Sequence, residues 1–236
     1  MKLTVLGCEG PFPAPGGGCS SYLVRAGEKK ILLDAGSGSL AHLGQCMALT
    51  DLDAVVLSHL HFDHMGEIPL LAYALQNTDK KLDIWMPEGP ESVRSLIESF
   101  PVFVCHTAAA GETVMLGTVE MSFLPARHPV PAVGVRIRHH SRSVVYTGDT
   151  NTFPDMASAY AGADVLLIDG GLTAEQWTEE KPHLSAAMAA QVSLDAGARQ
   201  AILTHFAPEA RKRLLNEARD IAPRMLGAAP MRIYEF

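Results

Sequence analysis

Four residues of metal-ligand type crowd into the six from His59 to His64. The run Ser58-His59-Leu60-His61-Phe62-Asp63-His64 places three imidazoles and a carboxylate directly after an apolar stretch. On an extended backbone alternate side chains share a face, so His59 and His61 can address one ion. A bend into a helix near Gly66 would free Asp63 and His64 to face a second ion beside the first. Imidazole and carboxylate suit zinc, manganese or iron. Two later residues sit where strands should end: Asp149 in VVYTGDT and His205 in AILTHFAP. A strand end would deliver each to a common rim. A plain turn is the alternative for Asp149, because Gly-Asp is ordinary turn chemistry. Several histidines could complete the first site. His139-His140 lies between two apolar runs and reads as an exposed hairpin turn, His106 lies in a loop with no flanking pattern, and His128 precedes Pro129 and a Gly-containing strand.

These residues need strands to end together at one edge. Strands are predicted over Lys2–Leu6, Ser21–Arg25, Lys30–Leu33, Leu52–Ser58 and Leu82–Met86. Later ones fall at Val102–Cys105, Thr113–Leu116, Val119–Leu124, Gly134–Arg138, Ser143–Tyr146, Val165–Ile168, Ala201–Leu203 and Met231–Glu235. Helices are expected from the turn at Asp34–Gly38 towards Leu49, and over Glu67–Gln76, Glu88–Ser99, Leu184–Ala196 and Pro208–Ile221. No repeat or long linker interrupts the pattern, so residues 1–236 read as a single domain. Strands followed by outer helices in both halves give an α/β class: two mixed sheets face to face with helices outside, a four-layer sandwich.

The His59–His64 run is HxHxDH, the signature of the metallo-β-lactamase superfamily, and the other pieces follow in that family's order over nearly the whole chain. Asp34 in LLLDAGSG resembles the early aspartate that buttresses the site. His128 in LPARHPV resembles the third histidine of the first metal site, Asp149 the bridging carboxylate and His205 the last histidine. The resemblance implies two divalent ions, zinc or alternatively manganese. His59, His61 and His128 would hold one, Asp63, His64 and His205 the other, with Asp149 bridging. Such a pair lowers the pKa of a shared water, and the resulting hydroxide attacks a phosphodiester, thioester, lactone or β-lactam.

Within the superfamily, Lys181-Pro182-His183-Leu184-Ser185 ahead of an Ala-rich helix and an LTHF strand resembles the ribonuclease Z branch. There the histidine acts on the phosphate, which makes His183, with Asp63, a candidate catalytic residue. A helix-flanking surface histidine is the alternative. The Gly-rich turn ending in Cys19-Ser20-Ser21-Tyr22 also resembles that branch. The long tRNA-gripping arm does not fit, since only 20 residues separate His128 from Asp149. The resemblance therefore implies a phosphodiesterase for cyclic nucleotides or other small diesters. A lactonase or thioesterase, or a compact ribonuclease Z-type nuclease, is the alternative.

Composition sets the outer bounds. The chain has 236 residues, 47% hydrophobic and 19% charged, enough apolar material for a sizeable core. Acidic residues outnumber basic ones, 26 to 19, for a net charge of −7, which argues against a salt-driven grip on long nucleic acid and leaves a nucleotide-sized substrate open. Arg136, Arg138 and Arg142 and the run Arg211-Lys212-Arg213 read as solvated faces. Four scattered cysteines without a CxxC pair read as reduced thiols. No apolar stretch reaches the ~18 residues of a membrane span, and MKLTVLGCEGPFPAP lacks a secretory core, so a cytoplasmic location is expected. Apolar residues near Pro129–Val133 or in the Leu70–Leu75 helix could form a homodimer or simply pack.

Overall fold

The computed structural model describes residues 1–236. The first half supplies β1 (Lys2–Gly7), β2 (Ser21–Ala26), β3 (Lys29–Leu33), α1 (Ser39–Cys46), β4 (Ala54–Val56), α2 (Phe62–Met65), α3 (Ile68–Leu75), β5 (Leu82–Met86), α4 (Glu91–Glu98) and β6 (Phe103–Thr107). The second supplies β7 (Thr113–Leu116), β8 (Val119–Pro125), β9 (Val133–His139), β10 (Arg142–Tyr146), α5 (Met156–Ala159), β11 (Val165–Asp169), α6 (Ala186–Asp195), β12 (Gln200–Thr204), α7 (Arg211–Ile221), β13 (Leu226–Gly227) and β14 (Ile233–Glu235). They form two seven-stranded sheets, ordered β14-β1-β2-β3-β4-β5-β6 and β13-β12-β11-β10-β9-β8-β7. Both sheets are mixed and each carries helices, the sandwich expected from the sequence. No helix is long and apolar enough to cross a membrane.

Period-two alternation sorts side chains between the layers. Tyr22, Val24, Ile31, Leu33, Ala54 and Val56 join the core shared with the second sheet, including Phe123, Val135 and Ile137. Their neighbours Leu23, Leu32 and Val55 point the other way and pack with Leu43, Leu71 and Ile97 of the outer helices. Burying both faces explains why these strands read as continuous apolar runs.

Strand direction creates the site. β3 and β4 pair in parallel, as do β4 and β5, β10 and β11, and β11 and β12. Their carboxyl ends open on one edge, where the connections are free to carry ligands. His59 follows β4, Asp149 follows β10, and His205 follows β12.

Several boundaries differ from the sequence reading. The strand expected over Leu52–Ser58 shrinks to β4: at its start Leu52 N closes the 3-10 turn Leu49–Asp51 on Leu49 O, and at its end Ser58 N turns to the Asp34 carboxylate. The bend after the histidines comes at Phe62, not Gly66: α2 begins immediately after His61. α4 starts at Glu91, after Pro90, rather than at Glu88. His106 lies in β6, not a loop; its ring stacks on Trp85 at 4.6 Å and donates to Asp83 over 2.7 Å. β13 was not anticipated.

The sheets are also pinned by a buried polar contact. Tyr22 of β2 and Thr204 of β12 share a 2.6 Å hydrogen bond, one residue before His205. Replacing Tyr22 by Phe leaves the buried Thr204 hydroxyl without this partner, at a cost of about 1–2 kcal/mol. Thermal unfolding should show a midpoint lowered by roughly 2–8 °C, with the helical circular-dichroism signal unchanged at room temperature.

Candidate metal centre

The centre is built around Asp34, fully buried at the end of β3. Its backbone adopts the left-handed region, φ 55°, rare for a residue with a Cβ. That turn aims its carboxylate along the edge of the sandwich. Oδ1 accepts from Ser58 N (2.6 Å), while Oδ2 accepts from Ser58 Oγ, His64 Nδ1 and Tyr146 Oη, each at 2.7 Å.

These bonds fix which imidazole nitrogens face inward. His64 donates through Nδ1 to Asp34, so its Nε2 turns to the site. Ser58 Oγ spends its O–H on the bond to Asp34 and therefore accepts from His59 Nδ1 (3.1 Å), leaving the His59 Nε2 lone pair inward. His128 Nδ1 donates to Pro182 O (3.2 Å) with the same result. Partners behind a ligating histidine set its tautomer and orientation in this way.

Two donor groups result. His59 Nε2 and His128 Nε2 lie 3.0 and 3.1 Å from His61 Nδ1. Two inward lone pairs meet one further ring nitrogen, so at most one of these contacts is a hydrogen bond. Tetrahedral zinc with Zn–N of 2.0–2.1 Å spaces its nitrogens at about 3.3 Å, close to this triangle. The second group is Asp63, His64, Asp149 and His205, whose ligand atoms lie within 4.8 Å of one another. Asp149 stands between the groups, its Oδ2 3.7 Å from His59 Nε2 and 3.2 Å from His64 Nε2. Asp63 Oδ2 lies 3.6 Å from His64 Nε2 and 3.9 Å from His205 Nε2. His64 Nε2 and Asp149 Oδ1 are buried without a hydrogen-bond partner. Ligand atoms converging on two points, two of them buried without a partner, fit a pair of cations, and all seven residues expected as ligands belong to the two groups.

The local fields agree. Burial pushes His59 well below the usual imidazole range, and the neighbouring His64 adds to this. Burial also opposes charge on His64, but the Asp149 and Asp34 carboxylates outweigh it and hold that ring well above its usual range. Burial lowers His205 to about 4, despite Asp149. Burial alone would raise Asp149, yet the surrounding His205, His64 and His183 hold it well below the ordinary carboxylate value.

His205 is positioned by the N-terminal loop. Its φ is 62°, its Nδ1 lies 3.2 Å from Ser20 Oγ, and its ring rests against Gly10, where any Cβ would collide. Gly10 N donates to Phe206 O at 2.9 Å, stitching the Gly/Pro loop to the end of β12.

His183 lies two residues before Ser185, which caps α6 by accepting from Met188 N. It is partly buried, stacked on His205 at 4.7 Å, with Nδ1 2.9 Å from Asp169 Oδ2. Burial disfavours its charged form, but the Asp169 and Asp149 carboxylates prevail and raise it to about 9. Asp169 was missed in the sequence, though it ends β11 as Asp149 follows β10. Ser58 and Ser20 were named only as members of the histidine run and the Gly-rich turn, with no role of their own, and Tyr146 was read only as part of a strand. A cleft of about 370 Å³ opens over both groups; His183, Gln176, Leu172, Pro11, Ala207 and Ala210 form much of its wall.

Residues 29–206 match the family described as the β-lactamase superfamily domain. The chain belongs to that superfamily. It is 32% identical over 217 residues to the probable metallo-hydrolase YhfI of Bacillus subtilis, covering 87% of each chain. Against the crystal structure of YhfI the TM-score is 0.93 at 28% identity, over 100% of this chain and 98% of that one. The short form of human tRNase Z superposes with a TM-score of 0.82 at 19% identity, over 100% and 99% of the chains. A diphosphatase of the PhnP family gives 0.78 at 19%, over 100% and 97%. These last two establish likeness of fold. In this superfamily member the HxHxDH segment runs from the loop after β4 into the single turn α2, and it supplies His59 and His61 to one donor group and Asp63 and His64 to the other.

Asp34→Ala should weaken metal binding by about 10–100-fold, because His64 and His59 lose the group that orients them. Competitive zinc titration against a chromogenic chelator measures this directly. Affinity equal to wild type would show that Asp34 does not support the ligands.

Proposed function

We propose that this protein is a dinuclear-metal phosphodiesterase acting on small diesters, with cyclic nucleotides as the leading class. The observation that carries the reading is the Asp169–His183 pair at the wall of the metal-facing cleft. His183 commits Nδ1 to Asp169, which leaves Nε2 for substrate. From there it can donate to a phosphoryl oxygen or to the departing alkoxide, the two places where negative charge grows during diester cleavage.

Two ions bound by the seven ligands, zinc being the natural choice for this nitrogen and oxygen set, would supply Lewis acidity at the phosphoryl group and acidify a water towards neutral pH. The protein contributes alignment. Asp34 holds His59 and His64, and the Gly10 loop fixes His205. Asp149 and Asp63 add carboxylate charge beneath the phosphate site, so that the ions are retained while the cleft keeps room for one anionic group. No Lys or Arg lines the cleft. A substrate with one phosphoryl charge and a mostly neutral remainder suits such walls better than a polyphosphate or a long nucleic acid. The segment between His128 and Asp149 is consumed by β9, β10 and their short turn, leaving nothing to act as an arm for tRNA. Ribonuclease Z-type processing is accordingly the weaker alternative.

An acyl hydrolase, lactonase or thioesterase, would use the same ligands without needing His183. Turnover of bis(p-nitrophenyl) phosphate, a lactone and a thioester by the zinc-loaded protein separates the readings, with Asp149→Ala as control. His183→Ala should lower kcat on the phosphodiester by about 10²–10⁴-fold while zinc content stays at the wild-type value. Undiminished diester turnover in that variant, or turnover of acyl substrates alone, would overturn the proposal.

A further inference from the structure

The loop between β11 and α6 that carries His183 has little regular structure, yet it converges on one side chain. Asn151, two residues after Asp149, is 1% exposed. Its Nδ2 shares two hydrogens among the carbonyls of Thr178 (3.1 Å), Glu179 (3.2 Å) and Lys181 (2.6 Å). Its Oδ1 accepts from Trp177 Nε1 (2.9 Å) and from Thr152 N (2.6 Å). With three acceptors at one end and two donors at the other, only one orientation of the amide satisfies all of them. Its backbone N–H donates to Arg127 O at 2.8 Å, and Arg127 reaches back to Glu179 O at 3.0 Å. The same loop presents Pro182 O to His128 and then delivers His183.

We propose that Asn151 is a positioning residue: it folds the 177–182 segment against the end of β10 and thereby sets His183 over the metal-facing cleft. The inference rests on the role given to His183 above. A loop of exposed polar residues would otherwise be free to sample many conformers, and an error of about 1 Å at a reacting group can cost 10²-fold in rate. Asn151 ties the loop to the backbone that bears Asp149, so the two sides of the cleft move as one body. No other side chain bonds three carbonyls of this segment.

Two measurements test this on the full-length protein. In amide hydrogen exchange by mass spectrometry, Asn151→Ala should accelerate exchange in peptides covering residues 173–184 by about tenfold or more, while those covering β9 and β10 match wild type. With zinc and bis(p-nitrophenyl) phosphate, the same variant should lose about 10–100-fold in kcat with KM within about twofold. In a His183→Ala background it should cost nothing further, because the group it positions is gone. Wild-type exchange in the loop, or an equal loss with and without His183, would overturn the proposal. Should Asn151→Ala fail to fold, Trp177→Phe removes one donor to Oδ1 and keeps an aromatic ring. Faster exchange confined to the loop is then expected, and unchanged exchange there would overturn the assignment. Absence of diester turnover in the wild-type protein would instead remove the phosphodiesterase reading, leaving the exchange result to decide on Asn151.

Discussion

The carboxylate of Asp34 is the interaction on which the metal-facing edge depends. Completely buried, it receives four hydrogen bonds drawn from three separate parts of the chain: the segment after β4, the helix α2 and the strand β10. A buried carboxylate is costly unless nearly every lone pair is used. Here the requirement is met only when Ser58, His64 and Tyr146 arrive together. The bond from Tyr146 crosses from one sheet to the other, so the same group that orients two imidazoles also registers the sandwich. Its left-handed backbone is the local cost of aiming a side chain from a strand end back across the edge.

A second constraint is electrostatic. Imidazoles facing imidazoles and carboxylates facing buried histidines make an assembly that favours positive charge at two points. His64 is driven up in pKa by carboxylates, whereas His59 and His205 are driven down by burial. This contrast among residues of one type reflects position alone. His183 stands apart: it leans on Asp169 and touches the ligand shell through His205, near enough to share its field and open enough to meet a substrate.

Much of this was legible in the sequence because ligands occur either consecutively, as in His59–His64, or at the ends of apolar runs, as with Asp149 and His205. Strands followed by outer helices in both halves were enough to place two sheets face to face. What escaped was long-range complementarity. Tyr146 read only as the end of an apolar strand, and nothing near it in sequence announces Asp34. Asp169 ended an apolar strand as inconspicuously as any turn residue. His106 was misplaced because its ring is anchored by Trp85 and Asp83, which the chain brings alongside only through the pairing of β5 with β6. Asn151 was invisible for a related reason, since its partners are backbone carbonyls and carry no residue identity.

The ligands are divided between the sheets. His59, His61, Asp63 and His64 follow a strand of the first, whereas His128, Asp149 and His205 come from connections of the second. During synthesis the emerging chain would display the HxHxDH segment long before the remaining ligands exist. A half-made chain can thus offer an ion only a partial, weakly held seat. Tight uptake must wait until the two halves have closed on each other, and from then on every captured ion resists their separation. Hydrolytic power is in this way withheld from incomplete or unravelled copies, and metal occupancy becomes a report on the integrity of the whole sandwich.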